Sequence, residues 1–169
     1  ENLLQQMKEQ GVPEEDIVKA LQQVQEQYDK EIELEEPIVV DNMEEKPSDK
    51  IEGFADRLKK MFPSMYSHRC SEGCEGGFFM RVDRGTWMGH IIEHIALETQ
   101  TLAGMDTGFG RTRDYGEYGV YNVVFSYMEE SVGRFAAKSA VKICEALIAG
   151  EDYDLADDIQ TMRELRDED

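Results

Sequence analysis

Positive charge is scarce in this sequence. Against 37 Asp and Glu stand 18 Lys and Arg, so the 169 residues carry a formal charge of −19 at pH 7. Duplex nucleic acid is therefore not an expected partner, because such binding rests on Lys and Arg neutralising phosphates. An anionic membrane surface is disfavoured on the same ground. Long apolar runs are also missing; nothing approaches the length of about 20 residues that a bilayer-spanning helix needs. No basic-then-apolar leader opens the chain, and it starts at Glu1 rather than Met, as a piece of a longer protein would. Cysteine is sparse. Cys70, Cys74 and Cys144 are odd in number and too few for a disulfide scaffold, so a reducing cytoplasm is the expected compartment.

What is present suffices for a folded domain. Hydrophobic residues make up 40% of the chain, enough to build a core and to argue against global disorder. The acidity sits mainly at the ends. Residues 1–50 hold 15 acids and 5 bases, residues 131–169 hold 10 and 5, and the centre, 51–130, holds 12 and 8. That centre is also where Gly, aromatics, His and Cys concentrate, so chemistry is expected there.

Periodicity predicts α+β, a small mostly antiparallel sheet packed with helices, plus an N-terminal acidic helical segment. Pro13 and the acids after it open a helix over 13–30, with Ile17, Val18, Leu21, Val24 and Tyr28 on one face. Ile38-Val39-Val40 reads as a short strand. Ser48 is a candidate cap for a helix within 51–62 that ends before Pro63. Ser67–Gly77 is irregular and Phe78–Val82 reads as a short strand. Gly85-Thr86 opens a helix to about Leu102, stopped by Gly104. The stretch from Gly104 to Gly119, with five glycines, reads as a loop. Val120–Met128 is the clearest strand. Ser131 caps a helix through Leu147 whose core face includes Val132, Ala136, Ala140 and Ile143, and 153–168 forms a charged terminal helix. Domain limits follow: an acidic extension at 1–36, a central domain at 37–150, and a terminal helix at 151–169.

The sharpest feature is His90-Ile91-Ile92-Glu93-His94, an H-x-x-E-H pattern inside a helix, the residue order of inverted zincins. Positions i and i+4 project from one face with Cβ atoms roughly 6 Å apart, so both imidazoles reach one metal ion. Glu93 lies beside the pair, where a carboxylate can accept a proton from water. The plain alternative is two surface histidines and a glutamate on a solvated face. Against it, two of the chain's three histidines fall here, and His68, Cys70 and Cys74 lie just upstream in a glycine-rich loop. Three shells are open. Cys70, His90 and His94 leave a fourth position for water, with Glu93 as base. Cys70 and Cys74 with both histidines would make a closed structural site. Alternatively Glu98, Glu129 or Glu130 supplies a carboxylate ligand. Cys144, beside Ile143, reads as core.

A second cluster, Gly108-Phe109-Gly110-Arg111-Thr112-Arg113, sets two arginines where they can hold carboxylates. The alternative is an ordinary turn whose arginines pair with surface acids. It is not a P-loop, since no Gly-Lys-Ser/Thr follows. Tyr118, Tyr121 and Tyr127 suit sheet packing, and Trp87 suits helix core or a cleft wall.

The runs Glu44–Ser48, Cys70–Gly73, Gly76–Phe78, Gly85–His94, Leu102–Met105, Gly108–Arg113 and Gly119–Tyr121 resemble, in order, the N-terminal domain of cyanophycin synthetase, over roughly residues 38–150. The resemblance implies a domain that binds cyanophycin, a polymer of β-Asp-Arg units, and in some members hydrolyses it slowly at a zinc-peptidase-like site to yield primers. It implies Zn2+ on Cys70, His90 and His94, with Glu93 as base and Arg111 and Arg113 as substrate contacts. It also implies partners, namely ATP-grasp and Mur-ligase-like domains of a homo-oligomeric parent ligase. ATP and Mg2+ belong to those domains, which are absent from this chain. The other expectation is a polymer-binding or assembly domain without turnover. Two departures stand out. The basic opening segment with Arg-Gly-Pro-Asn expected of the family is missing, with residues 1–36 in its place, and Cys74 is not a fixed position of the pattern.

Overall fold

The computed structural model describes residues 38–39, 46–114, 116 and 119–168. The helix expected over 13–30, the extension 1–36, and Val40, Glu44, Glu45 and Tyr118 lie outside the described residues. The architecture is α+β, as the periodicity predicts. Strand β1 (Ile38–Val39) pairs antiparallel with β3 (Val120–Phe125), which pairs antiparallel with β2 (Gly110–Asp114), giving the order β1-β3-β2. The helices are α1 (Phe54–Met61), α2 (Gly77–Arg84), α3 (Met88–Leu102), α4 (Glu130–Ala149) and α5 (Leu155–Glu168), with short 3₁₀ turns at Ser48–Lys50, Pro63–Ser67 and Cys70–Glu72. Among the described residues, no helix is long and apolar enough to cross a membrane.

Helix α3 is the axis of the domain. It packs on α4 and on β2 and β3. Met88, Ile91, Ile92 and Ile95 meet Ala140, Ile143, Cys144 and Leu147 of α4, and Phe54, Leu58, Phe62, Phe78 and Val82 complete this core. Each fully buried aliphatic chain here contributes about 1.5–3 kcal/mol of transfer free energy. The polar side of α3 is buried as well: Glu93, His94 and Glu98 are at most 7% exposed. The solvated-face alternative for His94 and Glu93 is thereby removed. Cys144 is core, as expected; burial pushes its thiol up to about 12.

Three local expectations are corrected. Phe78–Val82 is not a strand but lies in α2. Phe78, Phe79 and Val82 are buried while Met80 and Arg81 are exposed, which is the spacing of one helical face and not the alternation of a strand. The glycine-rich stretch after Gly104 is not all loop, because Gly110–Asp114 forms β2. Apart from Thr112 its residues have poor strand preference, and it is held by five register pairs with β3, Gly110↔Phe125 to Asp114↔Tyr121. Ser48 does not cap α1. Its hydroxyl donates to the Val82 carbonyl (2.7 Å) and accepts from the Thr86 N–H (2.9 Å), tying the end of α2 to the approach to α3. Helix starts shift slightly: Trp87 precedes α3 and Glu129, not Ser131, precedes α4.

Helix α5 closes the C-terminal end of α3. Met162 is fully buried beside Ala103, Met105, Val132 and Ala136. Arg163 and Arg166 donate to the carbonyls of Leu102 and Ala103, both at 3.1 Å, answering acceptors that a helix end leaves unpaired.

Candidate metal centre

The loop between α1 and α2 brings Cys70 over α3. Its path depends on Gly77, where an added Cβ would run into the Arg69 carbonyl oxygen and lie 2.9 Å from the Glu72 Cβ. The Phe78 N–H donates to the His68 carbonyl (3.0 Å) and the Gly76 N–H to that of Tyr66 (2.6 Å), so the loop doubles back on the start of α2. Cys70 has φ +53°, the only positive φ of a non-glycine among the described residues. Such backbone is costly for a residue with a Cβ and clusters at functional sites.

Cys70, His90 and His94 each offer one ligand atom, and these lie within 4.8 Å of one another. Cys70 Sγ is 3.2 Å from His90 Nε2, and Thr86 Oγ1 holds His90 Nδ1 at 2.9 Å. His94 Nδ1 meets His68 Nδ1 at 2.9 Å, and His68 Nε2 meets Glu98 Oε2 at 2.8 Å. The other Glu98 oxygen accepts from Ser64. Phe78 stacks on the His94 ring, with centroids 3.9 Å apart and planes at 21°. A thiolate with two imidazoles is a donor set that suits zinc and leaves one of the usual four positions open. Outer hydrogen bonds on both imidazoles fit the same group.

Cys74 is exposed and does not join the three, so the closed shell does not form. Glu98 is bound to His68 and Ser64, Glu129 precedes α4, and Glu130 pairs with Arg134 on the surface. None of these carboxylates belongs to the group.

Glu93 lies on the same cleft, an open cavity of about 1210 Å³ whose walls include Trp87, Arg81, Arg111 and Asp114. The Thr112 hydroxyl donates to Glu93 Oε2 (2.6 Å), and a Cβ on Gly110 would sit 2.5 Å from Oε1, so β2 forms a slot that fixes the carboxyl. Burial raises the Glu93 pKa, and the Thr112 hydrogen bond opposes that rise. Arg111 lines the cleft, whereas Arg113, two residues along the strand, is exposed and outside its wall.

The residues that sequence reasoning left without a role are Ser64, His68, Thr86, Gly110 and Thr112, and Glu98, a candidate ligand there, is instead the partner of His68. A signal for two of them existed: Thr86, His90, His94 and Glu98 recur every four residues, a polar stripe that extends the H-x-x-E-H motif in both directions.

Burial, reinforced by Arg81, lowers His90 to about 4. Burial, then His90 and His68, lowers His94 to about 2. Both imidazoles are thus neutral at physiological pH, the form that binds metal. In the unfolded chain both protonate near 6.5, so below that pH the unfolded state binds more protons than the folded one. The metal-free domain is expected to lose stability as pH falls from about 6.5 towards 4, and above that window the pair adds no slope. Urea midpoints at pH 7 and pH 4.5 for the wild type and a His90→Gln/His94→Gln variant would check this; equal pH dependence in the two contradicts it.

A mostly helical α+β domain with a Cys/His/His group over an H-x-x-E-H helix is what fold and site define. Residues 37–149 match the family model described as the cyanophycin synthase-like N-terminal domain, and the chain belongs to that family. It is 46% identical over 128 residues to the cyanophycin synthetase of Synechocystis sp., and 48% over 130 residues to that of Geminocystis herdmanii. These spans cover 75–76% of this chain and 15% of each relative, so the chain matches about one seventh of their length.

Proposed function

We propose that this domain binds cyanophycin and hydrolyses it at the Cys70–His90–His94 centre, releasing short chains that prime synthesis. The observation that carries the reading is the convergence of those three ligand atoms within 4.8 Å on the cleft that also holds Glu93. Zinc bound there would supply a Lewis acid and lower the pKa of water. Glu93, held in its slot by Thr112 and Gly110, accepts the proton of the water that attacks a polymer amide. Arg111 on the cleft wall, with Arg113 beyond it, orients the substrate through its aspartate-derived carbonyls and terminal carboxylate. Asp114 on the same cleft suits the guanidinium side chains of the polymer. Binding along the polymer sets the scissile bond against Glu93. The module spans residues 37–150, between the acidic extension 1–36 and the terminal helix 151–169. It acts in the cytoplasm within a homo-oligomeric parent whose ATP-grasp and Mur-ligase-like domains extend the primers.

The purified chain, incubated with cyanophycin, should release soluble dipeptide oligomers. One equivalent of zinc should be present, and prior treatment with a chelator should abolish release until zinc is restored. Polymer retention without any cleavage by the zinc-loaded chain would replace hydrolysis with a holding role.

A further inference from the structure

A hydrogen-bonded polar chain runs from the loop before α2 to one of the three candidate ligands: exposed Ser64, buried Glu98, half-buried His68 and, at its end, buried His94. We propose that Glu98 and His68 are positioning residues that set the tautomer of His94, so that its Nε2 carries the lone pair presented to the metal. The inference rests on the metal-centre reading above and extends it to residues that no ligand role accounts for.

His68 is held at both ring nitrogens: Nε2 is 2.8 Å from Glu98 Oε2, and Nδ1 is 2.9 Å from His94 Nδ1. A carboxylate only accepts, so the His68 proton sits on Nε2 and is donated to Glu98. In neutral His68 the other nitrogen, Nδ1, is then an acceptor. With His68 neutral, His94 Nδ1 carries the proton and donates it. That leaves His94 Nε2 unprotonated, as a ligand nitrogen has to be. Ser64 donates to the second oxygen of Glu98, and Glu98 is 2% exposed, so the acceptor that starts the sequence is itself buried and hydrogen-bonded. Phe78, stacked on the His94 ring, fixes the plane in which Nε2 points. His90 is set separately, by Thr86 at Nδ1, which leaves its Nε2 facing Cys70. The two imidazoles thus have different orienting partners, a hydroxyl for one and a histidine–carboxylate pair for the other.

The test uses the whole chain with two variants, His68→Phe and Glu98→Gln, and their combination. Phenylalanine keeps a ring beside Phe78 while removing the acceptor of the His94 proton. Nitrogen-15 NMR of the metal-free protein reads the tautomer directly. Wild type should show His94 protonated at Nδ1, and His68→Phe should shift it towards the Nε2-protonated form. Zinc affinity, measured by competition with a chromogenic chelator, should fall by about 10–100-fold in His68→Phe. It should fall less in Glu98→Gln, and the double variant should be no weaker than His68→Phe alone, because Glu98 acts through His68. A His94 protonated at Nε2 in the wild type overturns the proposal. So does a zinc affinity unchanged in His68→Phe, or a double variant whose losses add. Should Glu98→Gln fail to fold, His68→Phe still decides both measurements. Should the wild type bind no zinc, the metal reading fails while the tautomer measurement still judges the relay.

Discussion

Glu93→Gln is expected to keep fold and zinc and to lower polymer hydrolysis by about 10²–10⁴-fold, the range a general base supplies. The amide has the shape of the carboxyl, so it fits the slot between Gly110 and Thr112, and its oxygen can still accept from the Thr112 hydroxyl. What disappears is a group able to take a proton. Melting temperature and zinc content, measured on the same sample as cleavage, separate loss of the base from loss of the site. Undiminished cleavage by a folded, zinc-loaded Glu93→Gln protein would sink the proposed role.

Gly77→Ala is expected to destabilise the domain by about 1–3 kcal/mol, as overpacking of a close-fitted region does. It should also weaken zinc binding, although residue 77 offers no ligand atom. The new methyl group would meet the Arg69 carbonyl, which is backbone and has no rotamer to escape into. The strand of loop that must yield is the one bearing His68 and Cys70. Both the Phe78–His68 backbone bond and the 3.2 Å approach of Cys70 to His90 would be disturbed. Gly108→Ala is the control: nothing lies within 4 Å of its added Cβ, and a change within about 0.5 kcal/mol is expected. Denaturant midpoints and a chelator competition on both variants check the pair. A Gly77→Ala protein as stable as Gly108→Ala would show that the loop can move aside, and the close-fit account would be wrong.

The parts of the fold that the sequence made legible are those with sustained periodicity. Helix α3 announces itself through Met88, Ile91, Ile92 and Ile95, and α4 through Val132, Ala136, Ala140, Ile143 and Leu147. The short α2 does not, because eight residues contain too few turns to separate a helical face from a strand of aromatics; only burial of Phe78, Phe79 and Val82 with Met80 outside resolves it. Strand β2 is invisible for a different reason. Apart from Thr112, its Gly, Arg and Asp residues have little strand preference, and their extended form comes from pairing with β3, a non-local effect. At the site, His90, Glu93 and His94 are readable because their spacing is local. The approach of Cys70 is only guessable, and His68 on Glu98 is not readable at all, since a separation of 30 residues carries no periodic trace. Arg111 and Arg113 look equivalent in sequence, yet only Arg111 lines the cleft.

The left-handed backbone at Cys70 sets two demands at one position that pull apart. The proposed metal centre asks for sulfur, while the peptide geometry prefers Gly or Asn. A lineage that abandons the metal is released from the first demand and keeps only the second. Drift at that position should then run towards Gly or Asn well before the two buried, well-packed histidines are lost. On the proposed function, the identity of this single residue would therefore mark the point at which a descendant of this domain gave up its metal centre.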